Sequence, residues 1–180
     1  MQMTAAAADA NDSHQRRFAE RILAALDVDR RPRAAVLGLA FKAGTDDVRL
    51  SPALHVARIL LAAGVAVIGH DPMAAEAALI ALPGLAIAAS PEAALSAADA
   101  AVIATDWPEY ADLDWSTIRD TMASPTVFDG RRLLGHLDLA GLGYRYEAVG
   151  SPWGGGEAAR IDPELVPVAG RASTEASRTS

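Results

Sequence analysis

The feature that most constrains the fold is a regular alternation of short apolar runs with segments of helical periodicity. The apolar run at 33–41 is too short for an isolated helix and follows Pro32, so it predicts a buried parallel strand. The next segment has apolar residues at helical spacing, with Ser51 as N-cap, Pro52 in the first turn and Gly64 at the end. Together they predict a strand, a long loop and a helix.

The same alternation continues to about residue 150. Further strands are predicted at 65–71, 85–89, 99–105, 125–129 and 143–150, and further helices at 14–26, 72–82, 90–98 and 114–122. Strands that alternate with helices of about ten residues indicate a parallel sheet. The sequence therefore predicts an α/β, Rossmann-like three-layer domain. Its sheet would be mostly parallel, with about six strands in the order 3-2-1-4-5-6 and helices on both faces.

The two ends of the chain differ from its middle. Residues 1–12 lack periodicity and predict a disordered leader, and residues 151–180 are rich in Gly, Pro, Ser and Thr and predict a flexible tail. Within that tail, Trp153 is a candidate to pack back against the domain. The predicted domain, preceded by the end of a linking helix, spans residues 13–150.

Charge and composition exclude several classes of function. The net charge is −7 with acids and bases interspersed, so we expect no nucleic-acid partner. The apolar runs are shorter than the roughly 20 residues that cross a bilayer, so we expect no membrane partner and a cytoplasmic location. The chain contains no cysteine, and its four histidines lack metal-ligand spacing, so we expect no metal.

Polar loops follow the first, fourth and fifth predicted strands. In a doubly wound sheet, ligands bind beyond the carboxyl ends of the strands, where the winding reverses. These loops read "AFKAGTDDVRL", "TDWPEYADL" and "DGRRLL", and two of them carry basic residues. A lysine or arginine beside free amide groups suits an anionic ligand such as a phosphate.

The first of these loops lacks the dinucleotide fingerprint. Only Gly38 and Gly44 are present, six residues apart, where the fingerprint needs three glycines in one tight turn. A Gly-Lys-Ser/Thr sequence is also missing, which excludes the nucleotide-triphosphate loop. NAD is therefore not expected to bind at this turn in the usual manner.

Five segments, in order, resemble the UDP-glucose/GDP-mannose 6-dehydrogenase family. "GLAFKAGTDDVRLSP" is similar to the motif that begins the C-terminal, UDP-binding domain of that family. "VIGHDP", "DAAVIATDWPEY" and "VFDGRRLL" resemble its later motifs, and "NDSHQRRFAERI" resembles the end of the helix that leads into the domain. The resemblance covers about residues 11–150.

The resemblance implies a function and a set of site residues. Members of the family are oxidoreductases that oxidise C6 of a nucleotide-sugar in two NAD-dependent steps, as from UDP-glucose to UDP-glucuronate for polysaccharide precursors. It implies that Phe41 and Lys42 line the UDP-sugar site, that Arg131 contacts the substrate, and that Arg49 reaches toward NAD bound by another domain. Lysine suits a diphosphate as a point charge, and arginine suits it as a bidentate fork.

Catalysis is not implied for this chain alone. The family works through a cysteine thiolate in a preceding domain, and this chain has no cysteine. We expect either a fragment of a longer enzyme or a separate reading frame, with the missing N-terminal and central domains or a second copy of the chain as partners. The alternatives are a stand-alone nucleotide-sugar-binding or regulatory module, a degenerate remnant that binds nothing, and an NAD-binding domain.

Each site residue also has a purely structural interpretation. Lys42 fits a solvated loop residue, and Arg49 fits an ion pair with one of the two aspartates between them. Asp71 occupies the position of a ribose-binding acid, but the proline after it favours a helix N-cap. Asp129 is expected to shape the turn that presents Arg131.

Overall fold

The computed structural model describes residues 2–150, with side chains from residue 12 onward. Its strands are β1 (Arg33–Leu37), β2 (Ala66–His70), β3 (Ala86–Ile87), β4 (Ala100–Ile103), β5 (Thr126–Asp129) and β6 (Arg145–Ala148). Its α-helices are α1 (Gln2–Ala25), α2 (Pro52–Ala62), α3 (Ala75–Ala81), α4 (Pro91–Leu95) and α5 (Trp115–Thr121). Short 3-10 helices lie at Val28–Arg30 and Pro108–Tyr110. The predicted tail at 151–180, including Trp153, lies outside the described residues.

The strands form one parallel sheet in the order β3-β2-β1-β4-β5-β6. Val36 in β1 pairs with Gly69 in β2 on one side and with Val102 in β4 on the other. The winding reverses between β1 and β4, so the crevice at the carboxyl ends of these strands is the topological switch point. The predicted fold class and strand order are confirmed.

The strands are buried on both faces because a layer of helices covers each face of the sheet. Ala34 and Val36 face α1 and α2, whereas the alternate residues Ala35 and Leu37 face α4 and α5. The first layer contributes Ala19, Ile22, Leu54, Val56, Ala57 and Leu60, and the second contributes Ala94, Leu95, Trp115 and Ile118. This double coverage explains why the strands read as continuous apolar runs instead of alternating polar and apolar residues.

Helix α2 begins where its sequence predicts. The hydroxyl oxygen of Ser51 accepts a hydrogen bond from the N–H of Leu54 at 3.3 Å, and its O–H donates to the carbonyl of Leu39 at 2.7 Å. Pro52 occupies the first helical position, and Gly64 follows the helix with φ +86°. Ser51 therefore caps the helix and at the same time ties it to the loop after β1.

Two helices are shorter than predicted, each for a local reason. Helix α3 begins at Ala75 because Asp71 holds the N–H groups of Met73 and Ala74 in a turn ahead of it. Helix α4 ends at Leu95, since Ala97 adopts φ +56° and its N–H donates to the carbonyl of Thr121 at 2.8 Å. The first of these contacts lies within one turn of chain and the second joins segments that are distant in sequence, and each overrides the helical periodicity.

The first helix is longer than predicted. Its backbone is helical from Gln2, whereas the sequence favoured a disordered leader over 1–12. This stretch contains four consecutive alanines, at 5–8, and alanine has the highest intrinsic helix propensity of any residue type. Further along, Phe18 packs edge-on against Phe128 with ring centroids 6.4 Å apart, which seats α1 on the sheet.

Candidate functional site

The loops at the carboxyl ends of β1, β4 and β5 are joined by hydrogen bonds. We call residues 38–50, 104–113 and 129–134 together the ligand edge. The hydroxyl of Thr105 donates to the carbonyl of Ala40 at 2.7 Å, and the N–H of Gly130 donates to the carbonyl of Ile103 at 2.9 Å. The three loops nominated from sequence are therefore brought together at the switch point.

Gly38 is needed for the close approach of two of these loops. Its φ is +87°, and a Cβ atom at this position would lie 2.7 Å from the backbone nitrogen of Thr105. Only glycine fits such a conformation and contact. Gly38 therefore serves a contact inside the protein, because it lets the loop after β1 approach the loop after β4.

Asp71, in the loop after β2, is a buried residue beside the ligand edge. Its carboxylate, only 4% exposed, accepts hydrogen bonds from five donors on three loops. The donors are the N–H groups of Leu39 (2.7 Å), Ala40 (3.0 Å), Met73 (2.9 Å) and Ala74 (2.8 Å) and the indole N–H of Trp107 (3.2 Å). Burial raises the pKa of Asp71, but the four backbone hydrogen bonds outweigh burial and hold the pKa below its ordinary value.

This use of Asp71 decides between the two roles considered from sequence. The carboxylate caps the turn before α3 and fixes the backbone of Leu39 and Ala40, so its oxygens are occupied by protein donors. A ribose hydroxyl would have to displace one of these bonds. Asp71 is therefore a structural residue that positions the loop carrying Phe41 and Lys42.

Phe41 and Lys42 lie at the outer end of that loop. The Phe41 ring is half exposed, and its backbone N–H donates to the carbonyl of Asp47 at 2.8 Å. The ring lines a pocket of about 570 Å³, the Phe41 pocket, together with Gln15, Val48, Leu50, Leu54, His55 and Arg58. Lys42 is exposed, and within residues 12–150 its ammonium makes no ion pair.

Arg49 is held by Asp47. Its guanidinium donates through Nε at 3.0 Å and Nη2 at 2.8 Å, and its backbone N–H donates to the same carboxylate at 2.9 Å. These hydrogen bonds lower the pKa of Asp47 to about 2. The interpretation of Arg49 as a partner of a loop aspartate is confirmed, and its guanidinium lines neither the Phe41 pocket nor the pocket described next.

Arg131 is presented by a turn that a second buried carboxylate builds. Asp129 accepts from the N–H groups of Arg131 (2.9 Å) and Leu134 (2.8 Å) and from the hydroxyl of Tyr146 (2.9 Å). The predicted role of Asp129 in this turn is confirmed. Arg131 lines a pocket of about 170 Å³, the Arg131 pocket, with His14, Gln15, Phe18, Pro52, Val56 and Gly130.

The guanidinium of Arg131 also meets Asp106, a residue that sequence reasoning did not select. The Nη2 atom of Arg131 donates to Asp106 Oδ1 at 3.1 Å. Burial raises the pKa of Asp106, and the bond from Arg131 together with the attraction of its charge lowers it, with a net decrease. The available signal was the position of Asp106 directly after a predicted strand, in a loop already nominated.

Lys42 and Arg131 lie in the loops that follow β1 and β5, at the carboxyl edge of the sheet. Gln15 of α1 lines both the Phe41 pocket and the Arg131 pocket, so the two pockets adjoin. Arg131 lines the second of these pockets, and Phe41, the residue before Lys42, lines the first, whereas Lys42 itself is not among the residues that line either pocket.

Residues 35–136 match the family described as "UDP-glucose/GDP-mannose dehydrogenase family, UDP binding domain". The chain belongs to this family. The match includes the loops after β1, β4 and β5, and so includes every residue of the ligand edge. The family to which the sequence motifs pointed is thereby confirmed.

Curated relatives of this UDP-binding domain are full-length dehydrogenases. The chain is 40% identical over 143 residues to a UDP-glucose 6-dehydrogenase of Rhizobium meliloti, covering 79% of this chain and 33% of that protein. It is 45% identical over 129 residues to the UDP-glucose 6-dehydrogenase AglM of Haloferax volcanii, covering 72% and 29%. The chain therefore spans about a third of the length of these relatives.

Solved structures of the same family share the fold. A UDP-glucose dehydrogenase from Pyrobaculum islandicum is 36% identical with a TM-score of 0.56, over 71% of this chain and 28% of that one. A UDP-D-ManNAc dehydrogenase from Pyrococcus horikoshii is 29% identical with a TM-score of 0.59, over 75% and 30%. The Rossmann-like architecture of the UDP-binding domain is thus common to relatives with different named substrates.

None of the helices in residues 2–150 is both long enough and apolar enough to cross a bilayer. Over the same residues, no group of three or more His, Asp or Glu is placed to hold a metal ion.

Proposed function

We propose that this chain supplies the nucleotide-sugar-binding part of an NAD-dependent UDP-sugar 6-dehydrogenase, of the UDP-glucose to UDP-glucuronate type. The observation that carries the proposal is the placement of two cations on the ligand edge, Lys42 after β1 and Arg131 after β5. Membership of the UDP-binding domain family and relatives named as UDP-glucose 6-dehydrogenases support it.

The two cations suit the diphosphate in different ways. Lys42 has an exposed ammonium on a flexible stem and acts as a point charge for one phosphoryl group. Arg131 offers a planar fork for a second phosphoryl group beside the Arg131 pocket. Phe41 adds a half-exposed apolar wall next to Lys42, which suits the nucleoside end of the ligand.

The nicotinamide cofactor does not fit the β1 turn of this domain. Thr105 fills the space beside Gly38, and Asp71 has no free oxygen for a ribose. In the proposal NAD is therefore bound mainly by another domain, where it takes up the hydride from C6 of the sugar. Arg49 is the residue of this chain that would reach the cofactor, after exchanging its contact with Asp47.

Oxidation requires groups that this chain does not carry. The sequence has no cysteine, and the thiolate nucleophile of the family would come from a different domain. In the proposal the chain binds the nucleotide-sugar but does not oxidise it alone, and its partners are those domains or a second copy of the chain. The product would serve as a cytoplasmic precursor for polysaccharides.

Calorimetric titration of the 180-residue chain with UDP, UDP-glucose, GDP-mannose and NAD tests the proposal. We expect heat of binding with UDP and UDP-glucose and none with NAD. Lys42→Ala should weaken UDP binding by about tenfold or more, because a hydrogen bond to a charged group is lost. Its melting temperature should stay within about 1 °C of the wild type, since the side chain is exposed.

A matched control and a direct probe sharpen this test. Arg30→Ala removes the same charge from an exposed side chain at the opposite end of β1 and should leave UDP binding unchanged. Lys42 is the single lysine of the chain, so reductive ¹³C-methylation gives one lysine NMR signal, which UDP should shift. Absence of heat with every nucleotide, or a lysine signal that UDP leaves in place, would contradict the proposal.

A further inference from the structure

Asp106 stands at a position whose backbone is fixed on both sides. The preceding residue, Thr105, donates its hydroxyl hydrogen to the carbonyl of Ala40 at 2.7 Å. The following residue, Trp107, donates its indole N–H to Asp71 at 3.2 Å. Asp106 therefore projects from a loop that is anchored to the loops after β1 and β2, while about half of its own side chain is exposed.

Its partner Arg131 is fixed at the backbone but not along its side chain. The N–H of Arg131 donates to the buried carboxylate of Asp129, which sets the position of the Cα atom. Beyond that point an arginine side chain has several rotatable bonds, whose freedom is lost when the guanidinium is ordered. Within residues 12–150, the hydrogen bond from Nη2 to Asp106 at 3.1 Å is the polar contact that the guanidinium makes.

That contact uses one nitrogen of the fork. Within residues 12–150, Nε and Nη1 of Arg131 make no hydrogen bond or ion pair. Asp106 thus binds the guanidinium at Nη2 alone, and the remaining N–H groups stay available to an anion in the Arg131 pocket.

We propose that Asp106 is a positioning residue, which orients Arg131 for the diphosphate end of the nucleotide-sugar through the ion pair between the loops after β4 and β5. This inference rests on the proposed function, because it presumes that Arg131 binds the ligand. An arginine that is already ordered loses less entropy when the phosphate arrives, so the ion pair strengthens binding without touching the ligand.

The sign of one measurement separates positioning from simple electrostatics. A carboxylate beside a diphosphate repels it, so an aspartate without a positioning role would weaken binding, and its removal would strengthen binding. A positioning aspartate has the opposite effect, since its removal frees the arginine side chain. Asp106→Ala should therefore weaken UDP binding even though it removes a negative charge next to an anion.

The experiment compares four forms of the 180-residue chain by titration with UDP and with uridine. We expect Asp106→Ala to weaken UDP binding about three- to fivefold, the range of a partly exposed ion pair, and to leave uridine binding unchanged. Asp106→Glu keeps the carboxylate and should recover affinity to within about twofold of the wild type. The matched control is Asp120→Ala, which removes an exposed aspartate paired with Arg119 at 3.0 Å and should have no effect.

Each outcome bears on one of the two proposals. Unchanged or tighter UDP binding by Asp106→Ala overturns the positioning role while leaving the proposed function in place. An equal loss of UDP and uridine affinity also overturns the positioning role. Uridine has no phosphate group, so the orientation of Arg131 cannot affect its binding. Failure of the wild type to bind UDP overturns the proposed function and the positioning role with it. Melting temperatures of the variants confirm that each form is folded.

Discussion

Two buried carboxylates, one beside the ligand edge and one below α1, show opposite responses to the same degree of burial. Asp71 and Glu147 are each only 4% exposed. Asp71 accepts five hydrogen bonds, and its pKa is lowered. Glu147 is contacted at Oε1 by the guanidinium of Arg21, accepts no backbone hydrogen bond in the described chain, and has a pKa raised by burial, which the charges of Arg21 and Arg145 only partly offset.

The two pKa values shift in opposite directions because the two carboxylates have different hydrogen-bond donors around them. Backbone amides are fixed dipoles, and several of them aimed at one carboxylate outweigh its loss of hydration. A single arginine whose side chain is 40% exposed does not. Two loops of the ligand edge are therefore tied together by one carboxylate, that of Asp71, whose hydrogen bonds favour its ionised form. The contact between α1 and β6 instead contains a carboxylate, that of Glu147, whose ionisation is disfavoured.

Removal of the Asp71 carboxylate should have the largest effect on stability. Asp71→Ala leaves the buried N–H groups of Leu39 and Ala40 without acceptors, and we expect a loss of about 3–5 kcal/mol in the free energy of unfolding. Urea denaturation monitored by circular dichroism measures this. Asp46→Ala, at an exposed position of the loop after β1, is the control and should change stability by less than about 0.5 kcal/mol.

The pH dependence gives a second check on Asp71. Its folded-state pKa lies below the unfolded value, so its contribution is complete above the unfolded pKa and is lost as the pH falls through the folded value. The wild type should therefore lose stability below about pH 4 more steeply than Asp71→Ala does. Parallel curves for the two proteins would show that Asp71 is not a stabilising carboxylate and would remove one half of the comparison.

Close packing at the ligand edge can be tested at two glycines. Gly38 and Gly44 both have positive φ, but a Cβ atom would meet Thr105 at Gly38 and nothing within 4 Å at Gly44. Gly38→Ala should cost about 2–4 kcal/mol, from backbone strain and overpacking together. Gly44→Ala should cost roughly 1 kcal/mol, from backbone strain alone. If urea denaturation gave equal losses in the free energy of unfolding for the two variants, the loop after β4 would have to shift at little cost to make room for the Cβ atom.

Sequence reasoning reached the fold because the relevant signals are local. The apolar runs, the Ser51 cap of α2 and the strand order all follow from residues close together in the chain and from general rules of winding. The three loops of the ligand edge followed from the same rules, since the carboxyl ends of neighbouring strands meet. Within those loops, Lys42 and Arg131 were selected by the resemblance to the dehydrogenase family.

Pairings between distant side chains could not be obtained in this way. Asp106 and Arg131 are 25 residues apart, and nothing in either segment specifies the other as partner. The early end of α4 likewise depends on a contact between distant segments, from the N–H of Ala97 to the carbonyl of Thr121. Spacing predicts which loops meet, but the direction of a side chain within a loop depends on three-dimensional packing.

Glu147→Gln should have the smallest effect and the opposite sign. Because burial raises the folded-state pKa of Glu147 above its ordinary value of 4.5, its contribution to stability is complete below that value and is lost as the pH rises through the folded pKa. The neutral glutamine avoids this loss, and Arg21 is exposed enough to stay hydrated.

We expect the variant to melt about 2 °C higher than the wild type at pH 7 and at the same temperature near pH 4.5. Differential scanning calorimetry from pH 4.5 to 8 measures the trend, and Asp112→Asn, an exposed acid, is the control. A variant that is less stable than the wild type at pH 7 would show that the contact with Arg21 outweighs burial, and the two carboxylates would then differ in degree instead of sign.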